Sequence, residues 1–475
     1  MTAPRSAPLV LCLLAACAED AVTLPESWNT LKHRAVTVDI YTGFPAPLDI
    51  VKPLSGLDGS PIGLEEGAPD LTAAWWDRPP GTTERDGAHV DVVRIVAEPC
   101  ALTLDRLLPT PTDPTGDDLT TWEAQVIAAE AVRGDLVVWQ AAFSHDGSCG
   151  TAADQALASP APWGPAIVRA LARRRVGAVE LLDRQTLARE GGLALWTALA
   201  QAVRAHDATI LVAGGDFVLA PIDGALDPES ELARFIDRVA DDDLPLDVLT
   251  IGVEADTPQR VAATTMAVRA ALDAAGLDEV ELGLTRLAPT PPDEALDPAL
   301  ASARRGAFEM AARLVLQDVP GLRFVVSDRG SAPGPYFEAD GAPTPAFMAR
   351  VPMRQVEGKA RVASTSSAPD LVTLAATDLG GGRTLHLLVV AWDTSQGAGA
   401  VDYELVVPAF VPPAIERVDY RHAEVDALTR TLGGFFFSDV GALRPEPSSG
   451  DVLLRFRLPV PGVHYLELER PAPSL

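Results

Sequence analysis

Short apolar runs alternate with helical patterns from residue 54 to about residue 330. Each run is nearly continuous, as in Leu136-Val137-Val138-Trp139, which is typical of parallel strands buried on both faces. The runs lie at Leu54–Leu64, His89–Ala97, Asp135–Phe143, Val176–Leu182, Thr209–Gly214, Leu246–Val253, Glu279–Leu284 and Leu322–Val326. Eight strand-then-helix units predict an α/β fold of the (β/α)8 TIM-barrel type. A doubly wound open sheet is the competing topology, because periodicity alone does not show closure.

Helix-start and helix-stop residues separate these runs. Thr257-Pro258 offers an N-cap and a proline for the first turn of a helix, and Gly276 stands where that helix should stop. A second helix is expected to open at Pro228-Glu229, and a third to run from Thr121 to Gly134. The stretch Phe347–Gly358 is interpreted as the last helix of the barrel.

The pattern changes after residue 358, where short strands are separated by Gly, Pro and Ser. These strands are predicted at Val372–Ala376, Thr384–Trp392, Val401–Val407, Ile415–Tyr420, Asp451–Leu458 and His464–Leu468. Their spacing predicts an antiparallel β-sandwich. The early run Ala35–Tyr41 also alternates apolar and polar residues, and we expect it to add an N-terminal strand to that sandwich. The predicted organisation is a signal peptide over 1–16, a tether over 17–33, an N-terminal strand segment over 34–53, the barrel over 54–358 and the sandwich over 359–475.

Composition narrows the classes of function. With Lys+Arg 38 against Asp+Glu 66, the 475-residue chain has a formal charge of −28, which repels phosphate backbones and argues against a nucleic-acid partner. Gly214-Gly215-Asp216 fits a strand-end turn rather than a nucleotide motif, and Asp241-Asp242-Asp243 lacks the further ligand spacing of a calcium loop. We therefore predict no cofactor and no metal site, and interpret His386 and His422 as structural histidines of the sandwich.

The first residues resemble an export signal. Arg5 precedes the apolar stretch Leu9–Ala16, and Leu14-Ala15-Ala16-Cys17 resembles the bacterial lipobox, in which the cysteine takes the lipid. We expect Cys17 to anchor an exported protein to the cell envelope, at the outer membrane or cell surface, with the lipid as its only membrane contact. An ordinary cleaved signal with an incidental cysteine is the alternative.

Two cysteines remain once Cys12 leaves with the signal and Cys17 carries lipid. Because an exported compartment is oxidising, Cys100 and Cys149 are expected to form a disulfide, with two free buried thiols as the alternative. Neither cysteine has a second Cys or a His at the spacing of a zinc site.

Several motifs occur in the order found in a known enzyme family. They are Val36-Thr37-Val38-Asp39, Gly56-Leu57-Asp58-Gly59-Ser60-Pro61, Val92-Val93-Arg94-Ile95, Val212-Ala213-Gly214-Gly215, Gly341-Ala342-Pro343-Thr344-Pro345-Ala346-Phe347, Leu387–Trp392 and Gly462–Leu468. Together they resemble glycoside hydrolase family 39 of clan A, which are retaining β-glycosidases. The resemblance covers nearly the whole mature chain and implies a carbohydrate partner. It rests on the order of the motifs rather than on any one of them.

The chain departs from this family at its two catalytic positions. Retaining hydrolysis needs an acid and a nucleophile, both carboxyl groups, about 5–5.5 Å apart. The family's acid follows Asn at the end of strand four, where the present chain reads Asp183-Arg184. The family's nucleophile ends strand seven, where the chain reads Thr285-Arg286. A guanidinium neither attacks as a nucleophile nor gives up its proton near neutral pH, so the resemblance implies that the family mechanism is absent.

Other acidic and aromatic residues are predicted near the same barrel end. The acids at strand ends are Glu98, Glu254, Asp256 and Asp328, and the rings are Trp75, Trp76 and Trp139. One interpretation pairs Glu254 with Asp183 or Glu98 as a relocated catalytic set, and the other has the acids neutralise Arg184, Arg286 and Arg329. Free arginines would instead favour an anionic sugar, and exposed Trp rings would stack on one.

The preferred hypothesis is an exported, lipid-anchored protein with a glycosidase-like barrel that binds carbohydrate or an envelope partner without hydrolysing it. An active glycoside hydrolase with relocated carboxylates led by Glu254 and Asp183 is the second hypothesis. A structural surface protein is the third hypothesis, because the same barrel fold occurs with many different functions and does not by itself imply catalysis.

Overall fold

A computed structural model describes the two domains of the chain. The described residues are 31–38, 50–54, 56–58, 91–96, 102–131, 136–143, 152–290, 297–329, 335–338, 342–368, 370–379, 383–392, 399–429 and 439–471. After strand β1 (Leu31–Val38), eight parallel strands form a closed barrel. They are β2 (Gly56–Asp58), β3 (Val92–Ile95), β4 (Leu136–Ala141), β5 (Ala178–Leu181), β6 (Leu211–Leu219), β7 (Val248–Ala255), β8 (Glu281–Pro289) and β9 (Leu322–Arg329).

Each barrel strand pairs with the next, and β2 also pairs with β9, which closes the sheet. The predicted TIM barrel is therefore confirmed, and the open-sheet alternative is excluded. Each of the eight predicted runs overlaps one barrel strand, and β6, β7, β8 and β9 extend beyond the predicted ends. The fifth barrel strand, β6, extends beyond the predicted end at Gly214 because an irregularity between Gly214 and Phe217 lets pairing resume.

Helices follow the strands on the outside of the barrel. They are α1 (Leu104–Leu107), α2 (Thr120–Ala131), α3 (Ala152–Ala158), α4 (Trp163–Arg173), α5 (Arg184–Leu187), α6 (Gly192–His206), α7 (Glu231–Asp241), α8 (Pro258–Ala274), α9 (Pro298–Leu316), α10 (Pro345–Met348) and α11 (Val351–Arg354), with a short 3-10 turn at Pro114–Gly116. Thr257 caps α8 with its side chain, as the sequence predicts. Among the described residues no helix has the length and apolar character needed to cross a membrane.

The predicted single helix Phe347–Gly358 is wrong. The chain forms two separate turns there, α10 and α11, with Pro345 and Pro352 near their starts. Proline lacks a backbone N–H and clashes with the carbonyl four residues earlier, so a helix does not run on through Pro352.

Two further sheets form the predicted sandwich. The remaining strands are β10 (Ala360–Val362), β11 (Ser364–Ser366), β12 (Leu371–Thr377), β13 (Thr384–Ala391), β14 (Gly399–Val407), β15 (Val418–Val425), β16 (Asp439–Leu443), β17 (Val452–Val460) and β18 (Gly462–Glu469). One sheet has the order β11-β1-β14-β17 and the other the order β10-β12-β13-β18-β15-β16. The N-terminal strand β1 joins the sandwich, as expected, parallel to β14 and antiparallel to β11.

The six-stranded sheet lies between the barrel and the four-stranded sheet. Alternate residues of β13 enter different cores, because successive strand side chains point to opposite faces. Leu388 and Val390 join the core that includes helix α9, and Leu387 and Val389 join the core between the two sheets. Phe308 of α9 makes an edge contact with Trp392, at a ring-centroid distance of 6.1 Å. Barrel and sandwich thus share one apolar core.

Candidate functional site

The inside of the barrel is built in two layers. Near the amino ends of the strands the layer is apolar, and its buried members are Val92, Val138, Ala178, Ala213, Val248, Phe324 and Val326. Two residues further along several strands the layer becomes polar, with Arg94, Gln140, Glu180 and Thr250 all buried. Inward-facing residues repeat every second position along a strand, so these side chains point into the barrel below its carboxyl-end mouth.

Arg94 and Glu180 form the centre of the polar layer. Nε and Nη2 of Arg94 each donate a 2.7 Å hydrogen bond to one carboxylate oxygen of Glu180. The Glu180 side chain is fully buried and that of Arg94 is 4% exposed. Two parallel charge-assisted bonds compensate the desolvation of both ions, and the pair links β3 to β5 on the inside of the barrel.

Asp216 is brought to the mouth by a local irregularity of β6. Gly215 has φ +108° and Asp216 has φ +41°, both in the left-handed region. The Asp216 backbone N–H donates to Oγ1 of Thr250 at 2.9 Å, which holds this turn of the chain against β7. The side chain of Asp216, 23% exposed, then sits above the Arg94–Glu180 pair.

Asp216 is held as an anion. Arg94 Nη2 lies 3.1 Å from Oδ2, the Thr285 hydroxyl donates to Oδ1 at 2.6 Å, and Gln140 Nε2 donates to Oδ2 at 3.3 Å. Burial by itself raises the pKa of Asp216, but the Arg94 charge and the hydrogen bonds from Thr285, Arg94 and Gln140 outweigh it and keep that pKa below its ordinary value. Glu180 and Asp216 are therefore two carboxylates bridged by one guanidinium.

The ends of β7 and β8 place a second ion pair at the mouth. The register shifts between Ile251 and Gly252, so that Arg286 pairs with Gly252. Arg286 Nη2 lies 2.8 Å from Oε1 of Glu254, and the Arg286 side chain is 60% exposed against 33% for Glu254. Of the three arginines expected to be neutralised by acids at strand ends, Arg286 has such a partner in Glu254.

Arg184 and Asp183 follow β5 and have other partners. Asp183 caps α5, because its carboxylate accepts from the Thr186 backbone N–H at 2.9 Å and from the Thr186 hydroxyl at 3.0 Å. Nε of Arg184 lies 2.9 Å from Oε2 of Glu231, at the start of α7, with both side chains about half exposed. Glu231 was not among the acids predicted to neutralise the arginines.

The remaining predicted residues fall in different places. Asp256 pairs with Arg260, one turn further along, at 3.2 Å. The Trp139 ring is fully buried against Trp122 of α2, 4.9 Å between centroids, so it packs in the core and offers no exposed face to a sugar. Asp328 and Arg329 end β9, where only the backbone is described. Cys17, Trp75, Trp76, Glu98, Cys100 and Cys149 lie outside the described residues.

Arg94, Gln140, Glu180 and Asp216 were not predicted as site residues. Arg94 and Glu180 each interrupt an otherwise apolar strand run, Val92-Val93-Arg94-Ile95 and Ala178-Val179-Glu180-Leu181. Opposite charges embedded at matching depth in two strands of one barrel are the signal that indicates a buried pair. Their separation of 86 residues is the reason that spacing alone does not reveal it.

Comparison with known proteins adds a group of solved structures. No protein-family model matches the sequence, and no curated protein matches it. A glucosidase from Croceicoccus marinus is similar with a TM-score of 0.67 at 18% identity, over 94% of this chain and 100% of that chain. The GH39 enzyme from Xanthomonas axonopodis pv. citri gives 0.61 at 14% identity, over 95% and 100%.

A bacterial orthologue of human α-L-iduronidase gives a TM-score of 0.66 at 12% identity, over 94% of this chain and 85% of that chain. The protein has the fold of these glycoside hydrolases. At such low identities the likeness concerns the fold alone.

Replacing Glu180 tests whether the buried pair holds the barrel together. Glu180→Gln leaves the Arg94 cation buried with less compensation, so the free energy of unfolding should fall by about 3 kcal/mol, measured by urea denaturation. Glu231→Gln is the matched control, because it breaks a half-exposed pair with Arg184 and should cost no more than about 1 kcal/mol. Adding Arg94→Met to Glu180→Gln should restore part of the loss. Equal, small effects of Glu180→Gln and Glu231→Gln would contradict the role given to the buried pair.

Proposed function

We propose that the barrel mouth binds carbohydrate and does not hydrolyse it by the double-displacement mechanism of retaining glycosidases. The observation that carries the proposal is the Arg286–Glu254 pair, 2.8 Å apart, at the end of strand seven. The family resemblance aligns Arg286 with the nucleophile and Arg184 with the acid. Both are guanidinium groups, which supply neither an attacking oxygen nor a transferable proton near neutral pH.

Asp216 and Glu180, the carboxylates bound to Arg94 in the described part of the barrel, are poor replacements for the family's acid and nucleophile. A general acid needs a raised pKa so that it carries a proton at neutral pH, whereas the pKa of Asp216 is lowered, with Arg94 as the main cause that offsets burial. Glu180 is fully buried beneath Asp216 and binds the same guanidinium. Asp216 and Glu180 are therefore both bound to the Arg94 guanidinium.

The relocated-carboxylate hypothesis needs Glu254 and Asp183 to act together. Each already has a different partner, Arg286 for Glu254 and the Thr186 backbone N–H for Asp183. Freeing Asp183 would cost the cap of α5, about 1 kcal/mol, and freeing Glu254 would leave the mostly exposed Arg286 without this partner. We therefore prefer binding to hydrolysis.

An exposed arginine–glutamate pair suits neutral sugars. The guanidinium offers N–H donors and the carboxylate offers acceptors, which together match the hydroxyl groups of a sugar ring. Because the two charges of Arg286 and Glu254 cancel, the pair gives no general preference for an anionic sugar. The structural neighbours named as a glucosidase, a GH39 enzyme and an iduronidase orthologue support carbohydrate as the ligand class. Stacking on Trp75 and Trp76 stays a prediction.

Binding and turnover by the purified protein test this proposal together. Calorimetric titration with neutral gluco- and xylo-oligosaccharides should show binding that weakens at least about fivefold in Arg286→Ala, since direct hydrogen bonds to a charged group are lost. Arg455→Ala is the matched control, because it removes an exposed arginine paired with Glu404 in the sandwich, and binding should be unchanged. Aryl β-glycosides should release no product above the buffer rate.

Two outcomes contradict the proposal. Turnover of an aryl glycoside that disappears in Glu254→Gln or Asp183→Asn would establish the relocated-carboxylate enzyme. Absence of binding to every neutral and anionic sugar tested would favour the structural surface protein.

We also propose that the protein is exported and anchored by lipid on Cys17. The support is the segment Leu14-Ala15-Ala16-Cys17, which ends the apolar stretch that begins at Leu9. Bacteria expressing the full chain and fed a radiolabelled or alkyne-tagged fatty acid should incorporate the label into the wild-type protein and not into Cys17→Ala. Cys12→Ala is the matched control and should be labelled like the wild type. Labelling that survives Cys17→Ala, or a wild-type protein that stays unlabelled, would contradict the anchor. The disulfide between Cys100 and Cys149 stays a prediction.

A further inference from the structure

A group of polar side chains is buried between the two sheets of the sandwich, in a different domain from the barrel mouth. His422 lies on β15, His464 on β18, and Tyr403 on β14 of the facing sheet. Both imidazoles are buried, His464 completely, and the Phe456 ring covers His422 at 4.7 Å between centroids. Glu424 stands beside them with its side chain 32% exposed.

Strand pairing brings these residues together. Glu424 lies directly opposite His464 in the antiparallel pair of β15 and β18, and His422 lies two residues before Glu424 on the same face. One ligand atom from each of His422, Glu424 and His464 can be chosen so that all three lie within 4.8 Å of one another. The face they share is the one turned toward Tyr403 and the core between the sheets.

Hydrogen bonding among these groups is not satisfied in a simple way. Nδ1 of His464 lies 3.1 Å from Nε2 of His422 and also 3.1 Å from the Tyr403 hydroxyl oxygen. A neutral imidazole nitrogen has one proton or one lone pair, so it does not serve two such neighbours fully. Nε2 of His464 makes no hydrogen bond with any residue in the described part of the chain, although the Glu424 carboxylate is 3.3 Å away.

A cation between Nε2 of His422 and Nδ1 of His464 relieves the crowding at Nδ1 and leaves Nε2 of His464 to donate its proton toward Glu424. Imidazole nitrogen and carboxylate oxygen are the donors that Zn²⁺ and its first-row neighbours prefer. A tetrahedral zinc ion with ligands at about 2.0–2.1 Å holds two nitrogens about 3.3 Å apart, close to the 3.1 Å between the two imidazole nitrogens. Glu424 supplies negative charge from the more open side of the site, where its carboxylate lies 3.3 Å from the other nitrogen of His464, Nε2.

We propose that His422, His464 and Glu424 form a binding site for a divalent transition-metal ion, which joins β15 to β18 inside the sandwich. The Tyr403 hydroxyl from the facing sheet lies next to the ion. The site is independent of sugar binding at the barrel mouth and acts on the stability of the sandwich. Its ligands come from strands about forty residues apart, which is why no ligand spacing in the sequence indicates it.

The test uses the full chain, treated with a chelator and dialysed, with ZnCl2 as the probe. Calorimetric titration should show a single zinc ion bound per chain, and the melting temperature should rise with added zinc because the ion binds the folded state. Co²⁺ loaded in its place should give visible absorption bands of a nitrogen-ligated ion.

Variants assign the binding to these residues. His464→Gln should abolish zinc binding, and Glu424→Gln should weaken it at least about tenfold and reduce the cobalt absorption. If His464→Gln fails to fold, Glu424→Gln still tests whether these residues bind zinc. Glu424 is partly exposed, so this substitution should leave the protein folded. His206→Gln is the matched control, since His206 is exposed on α6, and it should bind zinc like the wild type. Zinc binding unchanged in Glu424→Gln, or no binding by the wild type at millimolar zinc, would overturn the assignment.

Discussion

A guanidinium buried inside a barrel has to be compensated by anions, and this constraint shapes the whole mouth. Arg94 is almost completely enclosed, so its charge is costly unless carboxylates bind it in good geometry. Glu180 provides two short bonds from below, and Asp216 reaches Arg94 from the mouth through the irregular turn of β6. The same contacts that stabilise Arg94 lower the pKa of Asp216, so packing in the barrel and the charge of the mouth are linked through one side chain.

A second buried carboxylate is compensated by arginines on α9, the last long helix of the barrel. Glu309 of α9 is fully buried, accepts a 2.7 Å hydrogen bond from the Tyr336 hydroxyl, and pairs with Arg305 at 3.0 Å. Burial alone raises the pKa of Glu309, but Arg305, Arg313 and Arg350 outweigh it and lower that pKa. The hydroxyl is affected in the opposite direction, because burial and the neighbouring Glu309 raise the pKa of Tyr336. Buried charges in this protein are thus compensated locally, in the barrel interior and beneath α9 alike.

The sequence predicted the fold better than the site. Parallel strands buried on both faces leave continuous apolar runs such as Leu136–Trp139, so the barrel strands were predictable. The short strands β10, β11 and β16 were not predicted, because three to five residues carry little periodicity. In the site, Arg286 and Glu254 were predicted from strand ends. Arg94, Glu180 and Asp216 were missed because their contact depends on register across three strands, which one sequence does not reveal.

Arg94 holds Asp216 as an anion at the mouth, and the protonation of Asp216 can be followed without knowledge of the sugar. The measurement is the ¹³C chemical shift of the Asp216 carboxyl group in aspartate-labelled protein, followed against pH and assigned with Asp216→Asn. The ordinary pKa of an aspartate is 3.8, and that of Asp216 is lower. Asp216 therefore stays ionised as the pH falls from neutral to 3.8. We expect no titration of this signal between pH values of about 5 and 7, where a catalytic acid changes its charge. Titration of Asp216 near pH 6 would contradict the account and indicate a working acid.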